Sequence, residues 1–109
     1  MAFDEGSAER IRDLLAGTLH TDERKMFGGL AFMRNGHMMI GLIKDDLMVR
    51  VGKDNHADLM KKAHARAMDF TGRPMKGYIF VASEGYAEDD TLAYWLQQAL
   101  NFNNTLEPK

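Results

Sequence analysis

The 109-residue chain contains no cysteine. This absence excludes a disulfide framework, a zinc site with thiolate ligands and a cysteine nucleophile. The chain also lacks a strong excess of one charge, since 14 basic and 16 acidic side chains leave a net charge of −2. A global cationic field for nucleic acid or anionic lipid is therefore missing.

Long apolar runs are missing as well. The longest mostly apolar stretch, residues 26–43, is interrupted by the polar residues 34–37. It is not the run of about 20 predominantly apolar residues that a membrane span needs. Acidic side chains at residues 4 and 5 stand where a secretory signal would have a basic stretch and an apolar core. We therefore predict a cytoplasmic protein that does not bind a membrane.

The overall composition is that of one folded domain. Apolar residues make up 45% of the chain and charged residues 28%, which is the balance of an ordinary soluble globule. A chain of this length corresponds to one typical domain, with enough buried surface for one core. We expect a single domain over residues 1–109.

Hydrophobic periodicity predicts the order helix, three strands, helix, two strands, helix. The first helix has an apolar stripe that starts at Ala8 and extends to Leu19. The first strand, residues 25–33, is apolar on both faces, and Gly28-Gly29 inside it indicates a bulge or a close backbone approach. Asn35-Gly36 then predicts a tight hairpin turn. The other predicted strands are residues 38–43, 47–51, 66–70 and 78–82.

The predicted fold class is α+β, a two-layer sandwich of the order α-β-β-β-α-β-β-α. Its sheet is mainly antiparallel and five-stranded, with the helices on one side. The last helix follows the acidic run at residues 88–90 and buries a face that contains Trp95.

No pattern of catalytic residues emerges from the sequence. The four histidines lack the spacing of metal ligands, and Gly28-Gly29 is not part of a phosphate-binding glycine motif. The paired aspartates fall at a turn and a helix start, where solvated carboxylates are expected. We predict no enzyme activity, no metal and no cofactor.

Nine methionines are a high number for this length, and five of them crowd into the first three strands. Such residues fill gaps in a core, or they form an adaptable surface for a protein partner. Helices cover only one face of the sheet, so the second apolar face favours a partner that covers it. This argument predicts a homo-oligomer, most simply a homodimer.

Three segments and the last helix carry a family resemblance: KMFGGLAF at residues 25–32, DLMVRVG at residues 46–52, MDFTGRPMKG at residues 68–77, and the pattern Leu92, Trp95, Ala99 and Leu100. In these the chain resembles the N-terminal domain of the TfoX/Sxy family of competence regulators. The resemblance implies a fold similar to type III secretion chaperones. It also implies a non-enzymatic role in regulating DNA-uptake (transformation) genes, in longer relatives together with a transcription factor. The family supplies no catalytic residues.

Two groups of residues are candidate sites. The candidate interaction or structural motif comprises Met26, Phe27, Gly28, Gly29, Met38, Ile40, Phe70, Gly72, Arg73, Pro74 and Met75. Arg73 and Lys76 are candidate anion contacts, and a small-ligand pocket between sheet and helices near Gly28-Gly29 is the alternative function that they support. A further alternative is weak direct DNA binding by the modestly basic middle of the chain, which contains Lys44, Arg50, Lys53, Lys61, Lys62 and Arg66.

Overall fold

The computed structural model of the chain describes residues 3–26, 28–62, 64–67 and 76–108, with the backbone alone at residues 26 and 67. The helices are α1 (Glu5–Leu14), α2 (Lys53–Leu59) and α3 (Asp89–Asn103). The strands are β1 (Thr21–Met26), β2 (Gly29–Arg34), β3 (His37–Ile43), β4 (Asp46–Arg50), β5 (Ala65–Ala67) and β6 (Tyr78–Val81). The predicted α+β class with an antiparallel sheet is confirmed, although the sheet has six strands and not five.

The additional strand comes from the segment around Gly28-Gly29. The sequence predicted one strand over residues 25–33, but the chain forms β1, turns, and returns as β2 with Met26 opposite Gly29. Gly28 has a φ of +75°, which L side chains rarely adopt. A Cβ on Gly29 would lie 2.1 Å from the carbonyl oxygen of Leu42. The glycine pair therefore serves a turn and a close backbone approach, so of the two predicted possibilities the close approach is confirmed and the bulge is not.

The predicted Asn-Gly hairpin connects β2 to β3. Asn35 and Gly36 both have positive φ angles, 55° and 83°, as a type I′ turn requires. Arg34 and His37 close the hairpin as paired residues. The register shifts between Phe32 and Met33, so that Phe32 faces Ile40 whereas Met33 faces Met38.

The first helix is shorter than its apolar stripe suggested. Asp4 caps α1 by accepting hydrogen bonds from the backbone N–H of Ser7 at 3.0 Å and from the Ser7 hydroxyl at 2.8 Å. These bonds lower the pKa of the Asp4 carboxyl. Because the helix ends at Leu14, Leu19 is not on its buried face and is 72% exposed.

All three helices contribute to one core on one face of the sheet. Sheet side chains such as Phe32, Ile40 and Val49 pack there with Ile11 of α1, and the cluster also contains Leu59 of α2 and Leu92, Trp95, Leu96 and Ala99 of α3. The sheet is therefore covered by helices on one side, as the periodicity predicted.

On the opposite face of the sheet, Met48 and Phe80 are buried within the single chain, whereas Met38, Ile43 and Tyr78 are half-buried. Met48 is 1% exposed and Phe80 is 9% exposed. Gly41 leaves room for Met48, because a Cβ at position 41 would lie 2.8 Å from the terminal methyl of Met48. The guanidinium of Arg66 lies over the ring of Phe80. This face therefore exposes less apolar surface than the sequence-based argument for a partner assumed.

Candidate interaction site

β1 forms one edge of the sheet. The strand order is β1-β2-β3-β4-β6-β5, and in the described part of the chain β1 pairs only with β2. Its side chains from Asp22 to Lys25 are all exposed. A strand edge of this kind presents backbone donors and acceptors that a further strand can use.

The hydrogen-bond alternation of β1 shows which backbone groups face outwards. The N–H of Asn35 donates to the carbonyl oxygen of His20 at 3.0 Å, in continuation of the β1–β2 register. In an antiparallel pair, every second residue directs its N–H and C=O to the neighbouring strand. Because the carbonyl group of His20 points to β2, the backbone groups of Asp22 and Arg24 point to β2 as well. Those of Thr21, Glu23 and Lys25 point away from β2.

The side chains of β1 are charged on both faces of the sheet. Glu23 is on the helix side and accepts two hydrogen bonds from Arg12 of α1, from Nε and from Nη2, each at 2.7 Å. These bonds lower the pKa of the Glu23 carboxyl, while bonds to Glu23 and Glu9 raise the pKa of Arg12. Asp22 and Arg24 share the opposite face, with their charged groups 3.5 Å apart. The strand is thus held to α1 by one bidentate ion pair.

The region beside β1 contains the most exposed large apolar side chain of the described residues. Leu19, which is 72% exposed, lies two residues before the start of β1. A groove of about 400 Å³ lies between the end of α1 and the strands β1 and β2, with Leu15 and Phe32 in its wall. An open strand edge, an exposed leucine and a shallow groove together form a surface suited to protein contact. We call residues 19–25 the β1 edge.

The ion pair of Glu23 predicts a pH-dependent difference in stability. Because the pKa of Glu23 is lower in the folded than in the unfolded chain, its stabilisation exists above the unfolded pKa and is lost as the pH falls through the folded pKa. Glu23→Gln should be less stable than the wild type by about 0.5–1 kcal/mol at neutral pH. This difference should disappear in acid, which urea unfolding from neutral pH to about pH 2 will measure.

The control for this experiment is Asp58→Asn, at an exposed position of α2. It should leave stability nearly unchanged at neutral pH. A difference between Glu23→Gln and the wild type that persists undiminished to the lowest pH of the folded state would contradict the assigned ion pair.

The family model of the TfoX N-terminal domain matches residues 13–103 of the chain. The match begins within α1 and ends with the last residue of α3, and it therefore includes the whole sheet. The chain belongs to the TfoX N-terminal domain family. No curated protein matches it.

Membership supports a domain of the competence-regulator type, in a family that is not known as enzymatic. In the described residues of this TfoX domain, no three His, Asp or Glu side chains come together as a metal site. None of the helices described is long and apolar enough to cross a membrane.

The structure places the first part of the predicted motif in different environments. Ile40 is fully buried in the helix-side core of the TfoX domain, so it is not available to a partner. Gly29 is buried as well, Met38 is half-buried and Gly28 is exposed at the β1–β2 turn. These residues lie in the core, in the sheet and at a turn of the domain, and they do not form one contact surface.

The rest of the motif lies outside the described residues. These are Phe27, Phe70, Gly72, Arg73, Pro74 and Met75, together with the side chain of Met26. Of the predicted anion contacts, Lys76 is described and exposed, whereas Arg73 is outside the described part. At Gly29 a Cβ would meet the carbonyl oxygen of Leu42 and the side chain of Ile43, so β3 packs directly against this glycine.

The basic middle of the chain has internal partners. Arg50 lies between the rings of Tyr78 and Phe102, at 5.5 and 5.3 Å from their centres. Arg66 forms an ion pair with Asp46. Lys62 contacts the ring of Tyr94, so three of the six basic residues proposed for DNA contact have partners within the fold, which weakens that alternative.

A second groove lies near the start of β5. Lys62 and Glu84 line it together with Tyr94 and Trp95, and its volume is about 410 Å³. The ammonium group of Lys62 lies 5.4 Å from the ring centre of Tyr94. Glu84 accepts a hydrogen bond from Ser83 that lowers the pKa of its carboxyl. Both charged groups, Lys62 and Glu84, therefore interact with neighbours in the chain.

Sequence reasoning missed the β1 edge because its residues show no apolar alternation. Residues 21–25 read Thr-Asp-Glu-Arg-Lys, a pattern typical of a loop or a solvated strand. The available signal was Gly28-Gly29 interpreted as a turn, because a tight turn before β2 requires a strand on its other side.

Proposed function

We propose that this TfoX domain is a non-enzymatic regulatory or adaptor domain that acts by binding other proteins. The observation that carries the proposal is the β1 edge, where the backbone groups of Thr21, Glu23 and Lys25 point away from the sheet. Strand addition at such an edge supplies affinity through main-chain hydrogen bonds, while neighbouring side chains supply specificity. Family membership supports a role in regulating DNA-uptake genes, where a transcription factor is the partner to expect.

A proline at position 25 tests the edge without disturbing the domain's own sheet. The N–H of Lys25 points outwards, so Lys25→Pro removes a donor that β2 does not use. Lys53→Pro is the matched control, because Lys53 is the first residue of α2, a position where proline is favoured. Both variants should keep the far-ultraviolet circular dichroism of the wild type.

The experiment compares the tagged wild type and the two variants as baits in extract of the protein's own cells. We expect a partner to be retained by the wild type and by Lys53→Pro and to be lost with Lys25→Pro. Transcript levels of DNA-uptake genes in cells that carry each variant should follow the same order. Identical capture by all three baits would disprove the role of the edge.

The DNA alternative is decided by a separate measurement. Fluorescence anisotropy of labelled duplex DNA at low salt, where phosphate contacts are strongest, should show no binding by the purified domain. Binding that weakens steeply with added salt would instead favour direct DNA contact.

A further inference from the structure

We propose that the β1 edge binds a second copy of this chain, through antiparallel pairing of the two β1 strands around a two-fold axis at Glu23. The inference rests on the proposed function in one respect, because it names an occupant for the same edge, for which a second copy and another protein would compete. The arguments are the charge pattern of the strand and the geometry that a closed dimer requires.

A closed dimer restricts the registers in which two β1 strands can pair. Antiparallel strands related by a two-fold axis keep the same face of each sheet on the same side, and the residue on the axis faces its own copy. Residues that share a face of β1 must therefore lie opposite one another. This condition places a residue, and not a peptide bond, on the axis, and the interior positions of the span of residues 21–25 are Asp22, Glu23 and Arg24.

Charge selects among these registers. An axis at Asp22 places two aspartates opposite each other, and an axis at Arg24 places two arginines opposite each other. Both residues have their backbone groups directed to β2, so at the outer edge they would form closely spaced pairs, about 4.5 Å between Cα atoms. Like charges at that spacing are destabilising.

The register centred on Glu23 places opposite charges, and not like charges, across from each other on this face. Asp22 then lies opposite Arg24 of the partner subunit, and Arg24 lies opposite Asp22 of the partner subunit. Asp22 and Arg24 are already neighbours on that face within one chain. The four side chains would alternate in sign along and across the two strands, so that each has opposite charges as nearest neighbours.

The residue on the axis has its negative charge balanced within its own subunit. Glu23 accepts two hydrogen bonds from Arg12, so the two facing carboxylates would each be paired with a guanidinium. The backbone groups of Glu23 point outwards, so Glu23 and its copy would form a hydrogen-bonded pair. Such pairs have the wider spacing, about 5.5 Å between Cα atoms.

The same register uses all the outward-facing backbone groups of the strand. Glu23 pairs with itself across the axis, and Thr21 pairs with Lys25 of the partner subunit, in both directions. Each such pair exchanges two hydrogen bonds. Charged residues usually protect an edge strand from pairing, but the order Asp-Glu-Arg-Lys is complementary to its own copy in this one register.

Charge reversal tests the register directly. In Asp22→Arg, positions 22 and 24 are both basic, and in Arg24→Asp they are both acidic, so each variant alone repels its own copy. We expect self-association at least about tenfold weaker than in the wild type for each. An equimolar mixture of the two variants restores both ion pairs, and the double variant Asp22→Arg/Arg24→Asp restores them within a homodimer.

Sedimentation equilibrium from micromolar to millimolar concentration provides the measurement. Asp58→Arg and Lys61→Asp are the controls, because they cause the same changes in net charge at exposed positions near α2. They should associate as the wild type does. Circular dichroism checks that every variant is folded.

Three results would overturn the proposal: a wild type that stays monomeric at millimolar concentration, single charge variants that associate as tightly as the wild type, or a mixture that does not recover the dimer. Each is distinct from failure of the proposed function. A monomeric wild type that still captures a partner through Lys25 would reject the second copy alone, whereas a dimer that captures nothing would reject the adaptor role alone.

Discussion

Replacing Trp95 by alanine should lower the free energy of unfolding by about 3–5 kcal/mol, the usual cost of emptying a buried aromatic site. Trp95 is 3% exposed and packs in the helix-side core that joins α3 to the sheet. Removal of the indole leaves a cavity that the surrounding strands fill only in part. Thermal and urea unfolding of the purified domain measure the loss.

Tyr94→Ala is the matched control for this prediction. Tyr94 adjoins Trp95 edge-on, with 5.4 Å between ring centres, but it is 36% exposed. Its contact with Lys62 is a cation–π contact at the surface, of a kind that contributes about 0.5–1 kcal/mol. Equal losses for the two variants would mean that α3 is not docked through Trp95.

Gly29→Ala should destabilise the domain by about 3 kcal/mol or more, the upper part of the range for overpacked sites. The new Cβ would lie 2.1 Å from the carbonyl oxygen of Leu42 and 2.9 Å from the side chain of Ile43. The oxygen belongs to the backbone of β3, so it cannot move away without shifting the strand. Urea unfolding gives the size of the loss.

Gly28→Ala is the matched control, because it tests the cost of the backbone conformation without steric crowding. A Cβ on Gly28 would meet nothing within 4 Å, but Gly28 has a φ of +75°. Gly28→Ala should therefore cost only about 1–2 kcal/mol, the penalty of a left-handed conformation. A larger loss at Gly28 than at Gly29 would contradict the close approach of β2 to β3.

Local chemistry was sufficient for several elements. Asn35-Gly36 predicts its turn because few residues adopt two consecutive positive φ angles. The stripe of α3 predicts its buried face because Leu92, Trp95 and Ala99 recur at the helical period and all lie in the core. Such signals depend on a few neighbouring residues, so they can be recognised without knowledge of the rest of the fold.

Other features needed long-range contacts. The methionines of β2, β3 and β4 fit either a core or an adaptable surface by residue type, and the burial of Met33, Met39 and Met48 follows only from the packed sheet. The candidate site shows the same limit. Ile40 belonged to a predicted contact motif, but the register of β3 directs its side chain into the core.

The amino-acid sequence by itself determined the fold class, the Asn35-Gly36 turn and the docking face of α3, because these depend on periodicity and on the φ angles that single residues tolerate. Only the tertiary structure decided that residues 21–26 form a strand at all. Their side chains are mostly charged and carry no apolar period, so the strand is held by backbone hydrogen bonds to β2 and by the ion pair of Glu23 with Arg12 of α1. Backbone pairing of this kind leaves no signature in the order of the side chains.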